Sequence, residues 1–391
     1  MSTVALPDTA RASESRTGSA LGAVPWYVWA VVFASTSVLV GVMWDISWHR
    51  TIGRDTFWTP AHMAIYLGGV TAGLSCGWLV LRTTFAGTDD ERSAGVTFWG
   101  FRGPLGAWVC IWGAIAMIVS APFDDWWHNA YGLDVEILSP PHTVLASGII
   151  AIQIGAMLMV LSRQNNFGGS RLPQLLFAYT GGVLLVMMAT LATEQISFPN
   201  SQHGTVFYVV SAGIFPLILA GISRSSPLRW GATASAAFYM GATILMLWIL
   251  QLFPAQPLLG PINRQVDHMV PPAFPLLLVV PALVVDLLVR PLHMDSGRLR
   301  RWFTSLTVAV GFVLVLLAVQ WYFAVFLLTD AAHTFVFGAE RWDYYSTPGP
   351  WEREFWDAPV TLAGLGWAVL IGAISARVGL WWGDWMSKVR R

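Results

Sequence analysis

The sequence predicts an all-α, polytopic transmembrane helical bundle of about ten spans, with both termini in the cytoplasm. Three observations predict it. Of 391 residues, 55% are hydrophobic and 11% charged, against about 25% charged in ordinary soluble domains, and mean hydropathy is +0.58. The apolar residues fall into runs close to the roughly 20 residues that a helix needs to cross a bilayer. Basic residues also segregate. With the N-terminus inside, only Arg50, Arg54, Arg264, Arg341 and Arg353 of 22 Lys and Arg lie outside, and the other 17 lie in inner segments.

The elements follow in order. Residues 1–24 are rich in Ala, Ser, Thr and Gly and read as a disordered cytoplasmic tail, with no small-residue cleavage site after the first apolar run. The expected spans are 26–48, 60–82, 104–122, 141–162, 173–195, 204–223, 229–253, 270–290, 302–328 and 358–383. Pro25, Pro60, Pro104, Pro141, Pro173 and Pro271 mark span starts, where the missing N–H of proline costs nothing. Twelve of the 22 tryptophans cluster near expected span ends, as an interfacial aromatic belt does. The segment 329–357 reads as a surface connection. Cys76 and Cys110 sit inside apolar runs and read as packing residues. Zero net charge indicates no nucleic-acid partner; the expected surroundings are membrane lipid.

Seven of the eight histidines fall on the outer side, and only His293 lies inside. Asp45 and His49 are four apart and share a helix face; His62 follows Thr59-Pro60 at the start of the next span. The layout recurs: Asp124 and His128 are four apart, and His142 follows Pro140-Pro141. Both copies carry Trp-His and Gly-x-Asp, at Trp48-His49 with Gly53 and Asp55, and at Trp127-His128 with Gly132 and Asp134. Short connections make consecutive spans antiparallel neighbours, so each carboxylate and its two imidazoles converge at one depth. The plain alternative is an intrahelical polar pair followed by a helix-start histidine; recurrence with scarce histidine argues for ligands. Imidazole with carboxylate suits copper, zinc or iron, and three ligands leave coordination positions open. Arg54, Asp55 and Asp134 are candidates to orient the rings, and Glu194, His203, Asp267 and His268 are further polar groups on the same side.

These motifs resemble the C subunit of the particulate methane and ammonia monooxygenases, the copper membrane monooxygenases. The family pattern Asp-x3-His-x12-His stands here as Asp45, His49 and His62, with Arg54-Asp55-Thr56 and Thr59-Pro60-Ala61-His62. Its second pattern, Asn-x3-His-x13-His, stands as Asp124, His128 and His142, with Trp126 and Pro140; Asp124 replaces the family's Asn. The resemblance covers roughly residues 25–165, a four-helix metal-binding half, and leaves 166–391 as a second half of about six spans. It implies copper at these six residues, in a bacterial inner membrane with the sites towards the outer face. It further implies O2-dependent hydroxylation of a small apolar substrate or ammonia, A-like and B-like partner subunits, and a homo-oligomer. The alternative is a copper storage, transport or assembly protein without oxygenase activity. Mid-span polar residues are few, mainly Gln153 and Gln320, and Asp286 with Arg290 forms an expected i,i+4 pair; this counts against a path across the membrane.

Overall fold

The computed structural model describes residues 24–53, 56–132, 139–166, 170–193, 199–258, 265–292, 297–342, 344 and 359–390. The expected tail, Arg54, Asp55, Asp134, Glu194 and His293 lie outside the described residues, as does the side chain of His128.

Among the described residues, nine helices are long and apolar enough to span a bilayer. They are α1 (Trp26–Thr51), α2 (Pro60–Ala86), α4 (Leu105–Tyr131), α5 (Pro140–Asn166), α6 (Arg171–Thr193), α7 (Thr205–Ser225), α8 (Gly231–Leu250), α10 (Arg298–Leu327) and α11 (Leu362–Met386). Two shorter α-helices, α3 (Asp89–Ala94) and α9 (Val279–Val289), are also described, and an antiparallel pair, β1 (Val96–Phe98) and β2 (Phe101–Gly103), joins α3 to α4. Pro60 opens α2 and Pro140 opens α5, so proline does sit in first turns.

The outward faces explain the bundle's surroundings. On α2, Met63, Leu67, Val70, Leu74, Trp78, Leu81 and Phe85 are all exposed at steps of three and four residues. On α11, Trp367, Leu370, Ile374, Val378, Trp381 and Trp385 repeat the spacing. A continuous apolar stripe facing away from the core is stable against lipid tails, not water. The chain is an integral membrane protein.

Between helices, hydrophobicity gives no drive in lipid, so close backbone approach and hydrogen bonds must hold the bundle. The α4–α5 hairpin shows the first. Gly106 and Gly113 of α4 face Gly155 and Gly148 of α5; a Cβ on Gly113 would stand 2.6 Å from the Gly148 carbonyl oxygen, and one on Gly106 2.6 Å from that of Gly155. In the α1–α2 hairpin, Gly41 lies against Ile65 and Gly68 against the Ala34 carbonyl. The hairpins meet where Gly73 of α2 faces Ala114 of α4 and Cys76 of α2 lies 3.9 Å from the Met159 sulfur of α5. One core cluster runs from Val28 through Phe177 and Phe215 to Leu380.

Polar contacts close both ends. At one end Arg163 donates to the Tyr27 hydroxyl, and Asn165 donates to the carbonyls of Met386 and Val389. Asp384 accepts from Arg224 and Arg301 in a largely buried ionic triad. At the other end the Val360 amide bonds His203 O, and the Leu258 amide bonds Ile52 O.

The eighth expected span departs from the sequence reading. Residues 270–278 are not helical; only Val279–Val289 is. Pro271, Pro272 and Pro275 remove N–H groups and disfavour helical geometry in the residues before them. Irregular backbone at membrane depth is tolerated only where its polar groups are satisfied inside the protein. Here they are. The Phe274 amide donates to the Tyr344 hydroxyl at 3.1 Å, Leu276 to the Tyr239 hydroxyl at 2.9 Å, and Leu277 to Gln320 Oε1 at 3.0 Å. Gln320 in turn donates to Gln202 Oε1 at 2.7 Å, both side chains fully buried.

The expected Asp286–Arg290 pair is also replaced. Asp286 is 1% exposed and accepts from the Ala232 and Thr233 amides and the Thr233 hydroxyl, capping α8 from a neighbouring helix. The free N–H groups of a helix start outcompete an intrahelical guanidinium for a buried carboxylate.

Candidate metal centre at the helix hairpins

The first site is built on the α1–α2 turn. Thr56 and Thr59 lock it: the Thr56 amide bonds Thr59 Oγ1 at 2.8 Å and the Thr59 amide bonds Thr56 O at 3.0 Å. Thr59 is the residue before Pro60, so α2 starts at a fixed angle and His62 lies on its first turn. His62 Nδ1 lies 2.9 Å from Thr56 O. A carbonyl oxygen only accepts, so Nδ1 carries the proton. In the neutral ring, Nε2 then presents its lone pair.

That nitrogen faces Asp45 Oδ1 at 3.1 Å. The oxygen is shielded from solvent and accepts no aligned hydrogen bond. Two electron-rich atoms at this distance repel unless a proton or a cation lies between them. His49 Nε2 stands 3.8 Å from Asp45 Oδ2 on the same helix. Asp45 is thus the shared neighbour of both histidines, with the interhelical one nearer.

The second hairpin repeats the interhelical contact. Asp124 near the end of α4 lies with its Oδ1 3.5 Å from Nε2 of His142, on the first turn of α5. The Ser139 hydroxyl accepts the His142 amide at 3.3 Å and fixes that helix start. The interhelical Asp–His contact of the first hairpin thus recurs in the second.

The donors can be tested against a metal. Two ligands about 2.0–2.1 Å from one ion at a tetrahedral angle lie roughly 3.3 Å apart. The Asp45–His62 and Asp124–His142 separations, 3.1 and 3.5 Å, bracket that edge, and His49 is somewhat wider at 3.8 Å. Nitrogen and carboxylate donors without thiolate fit copper, zinc or iron. The hydrogen bond from His62 Nδ1 to a backbone carbonyl is the outer contact that fixes the tautomer of a ligating imidazole. Among the described residues, however, no group of three or more His, Cys, Asp or Glu is gathered tightly enough to enclose an ion. What the structure brings together is two Asp–His pairs.

The remaining candidates sit elsewhere. His203 Nε2 lies 3.2 Å from the Trp321 carbonyl and its ring meets the Trp321 indole edge-on at 4.3 Å, so it packs against α10. Asp267 Oδ1 lies 3.0 Å from His268 Nδ1 and 3.0 Å from an Arg341 nitrogen. The contact to His268 first, and then that to Arg341, holds the Asp267 carboxyl below its usual range. Sequence reasoning missed Thr56 O as the anchor of His62, and Gln202 and Tyr239 as partners of the broken span. Pro275, four residues into an apolar run already opened by Pro271-Pro272, was the available signal for the break.

No protein-family model, curated protein or solved structure matches the chain.

Proposed function

We propose that this chain is a copper-binding integral membrane protein of the copper membrane monooxygenase C type, with metal at the two hairpin ends. The carrying observation is His62: its Nδ1 donates to Thr56 O and its Nε2 lies 3.1 Å from the shielded Asp45 Oδ1. Asp45, His49 and His62 hold one ion, and Asp124, His128 and His142 hold the other. Bound copper supplies redox chemistry for O2-dependent hydroxylation of a small apolar substrate or ammonia. The chain's own residues orient the imidazoles and place the ions at the edge of an apolar bundle. The distribution of basic residues supports an inner-membrane orientation with both termini cytoplasmic and the ions towards the outer face. A-like and B-like subunits and further copies of this chain are the proposed partners.

A second reading, copper storage, transport or assembly without oxygenase activity, draws support from the broken eighth span, since discontinuous helices line many transport sites.

Copper titration of the purified protein, with metal analysis after gel filtration, tests the ligands. Two ions per chain are expected, one in His62→Ala or His142→Ala, and none in the double variant. Copper content unchanged in the double variant refutes the assignment. Oxidation of ammonia or a short alkane by the copper-loaded membrane fraction separates the two readings.

A further inference from the structure

Three sulfur atoms meet inside the bundle, where α2, α4 and α5 join. Cys76 of α2, Cys110 of α4 and Met159 of α5 are 1%, 0% and 4% exposed. Both cysteines are free thiols. Cys76 Sγ lies 3.9 Å from Met159 Sδ, and the Cys110 thiol is within hydrogen-bonding reach of Cys76. Glycines permit this approach. A Cβ on Gly155 would stand 2.5 Å from Cys110 Sγ, and one on Gly106 would stand 2.6 Å from Met159 Cγ. Cys110 and Met159 thus fill successive notches of one helix pair, and Cys76 closes the group from α2. The cluster is remote from the hairpins: Cys76 follows His62 on α2 by about 21 Å of helix.

The spacing suits a metal ion. Three sulfurs about 2.3 Å from one ion in a plane lie roughly 4 Å apart, and the Cys76–Met159 edge already has this length. Thiolate and thioether are soft donors and favour a soft ion, Cu(I) foremost. Charge points the same way, because an ion in an apolar interior must be neutralised. The Cys110 thiol donates to the Ile152 carbonyl at 3.6 Å, and the Cys76 thiol donates to the Met159 sulfur. The Cys76 proton therefore occupies the place that an ion would take. Exchanging it for a monovalent cation leaves the charge unchanged: the proton goes to solvent, Cys76 binds as thiolate, Cys110 as neutral thiol and Met159 as thioether. A divalent ion leaves one positive charge unless Cys110 also gives up its proton and its bond to Ile152.

We propose that Cys76, Cys110 and Met159 form a separate metal centre for one soft monovalent ion, Cu(I), within the bundle. The centre does not rest on the hairpin reading. Cu(II) without reductant counts the hairpin ions, whose nitrogen and carboxylate donors suit that state; Cu(I) is the probe for the sulfur cluster.

Anaerobic titration of the detergent-purified, chelator-treated His62→Ala/His142→Ala variant with Cu(I), against bicinchoninate as competitor, tests it. One Cu(I) per chain is expected, with X-ray absorption showing sulfur neighbours at about 2.3 Å. In the same background, Cys76→Ala and Cys110→Ala weaken binding about tenfold or more, as loss of a ligand should exceed loss of an outer contact. Met159→Leu conserves volume and carries the test if the cysteine variants do not fold; it removes one sulfur neighbour from the spectrum and weakens binding severalfold. Failure of the hairpin sites to hold copper leaves these outcomes unchanged. No Cu(I) taken from the competitor, a shell of nitrogen and oxygen, or equal affinity and an equal sulfur count in Met159→Leu overturns the proposal and leaves the three sulfurs as packing residues.

Discussion

Replacing Gln320 with leucine tests how the broken span is held. The substitution keeps the volume and removes two contacts: the acceptor of the Leu277 amide at 3.0 Å and the donor to Gln202 at 2.7 Å. Both glutamines are fully buried, so water cannot replace the lost partners. An orphaned buried polar group costs about 1–3 kcal/mol in soluble proteins. Interhelical hydrogen bonds in membranes average nearer about 0.6 kcal/mol, with a maximum of about 1.7 kcal/mol. The Leu277 amide sits on irregular backbone and belongs near the upper figure, because it has no helical alternative; the Gln202 contact belongs near the average. The expected total is about 2 kcal/mol. The assay is unfolding by sodium dodecyl sulfate titration from mixed micelles, read by circular dichroism. In the double variant with Gln202→Leu the penalty should be less than additive, since Gln202 no longer has a group to orphan. A loss below about 0.5 kcal/mol for Gln320→Leu, or full additivity, refutes the claim that this network secures the span.

In Gly148→Leu, a side chain is driven into the Gly113 carbonyl, which already stands 2.7 Å from the position of a Cβ, so α4 and α5 must separate; unfolding at lower detergent load and weakened copper binding at the Asp124–His142 pair are expected, whereas an unchanged titration curve would show that the hairpin does not depend on this contact. The Asp267 carboxyl is held below its ordinary value of 3.8 by His268 first and Arg341 second. A depressed carboxylate pKa contributes stability that is present above the ordinary value and lost as pH falls through the depressed one. Protection of the 265–270 backbone from hydrogen exchange should therefore hold at neutral pH and fall only below about pH 4. His268→Ala should raise the Asp267 pKa more than Arg341→Ala does, as read by carboxyl chemical shifts; the reverse order contradicts the assignment of causes.

The legible part of the candidate site was its ligand types and their spacing. Asp45 and His49 had to share a face because they are four apart on a helix, and Pro60 and Pro140 were expected near helix starts because the first turn is where proline removes no hydrogen bond. Which histidine the carboxylate meets was not legible. Asp45 lies nearer His62 on the next helix than His49 on its own, 3.1 against 3.8 Å, because the Thr56–Thr59 turn aims α2 and the close fit of Gly41 and Gly68 sets how near the helices come.

The sequence by itself determined that the chain is a helical membrane protein, roughly where its spans lie and which residue types recur at the hairpins, because these depend on hydropathy and on periodicity along one chain. Only the tertiary structure decided that the eighth span breaks and survives. An apolar run of the length of residues 270–290 reads as one helix, and its prolines can open a helix as well as interrupt one. Whether an interrupted backbone is stable depends on acceptors from Tyr239, Gln320 and Tyr344, which are 37, 43 and 70 residues from the amides they satisfy. No local pattern encodes such partners; they exist only once α8, α10 and the segment after α10 have packed around the break.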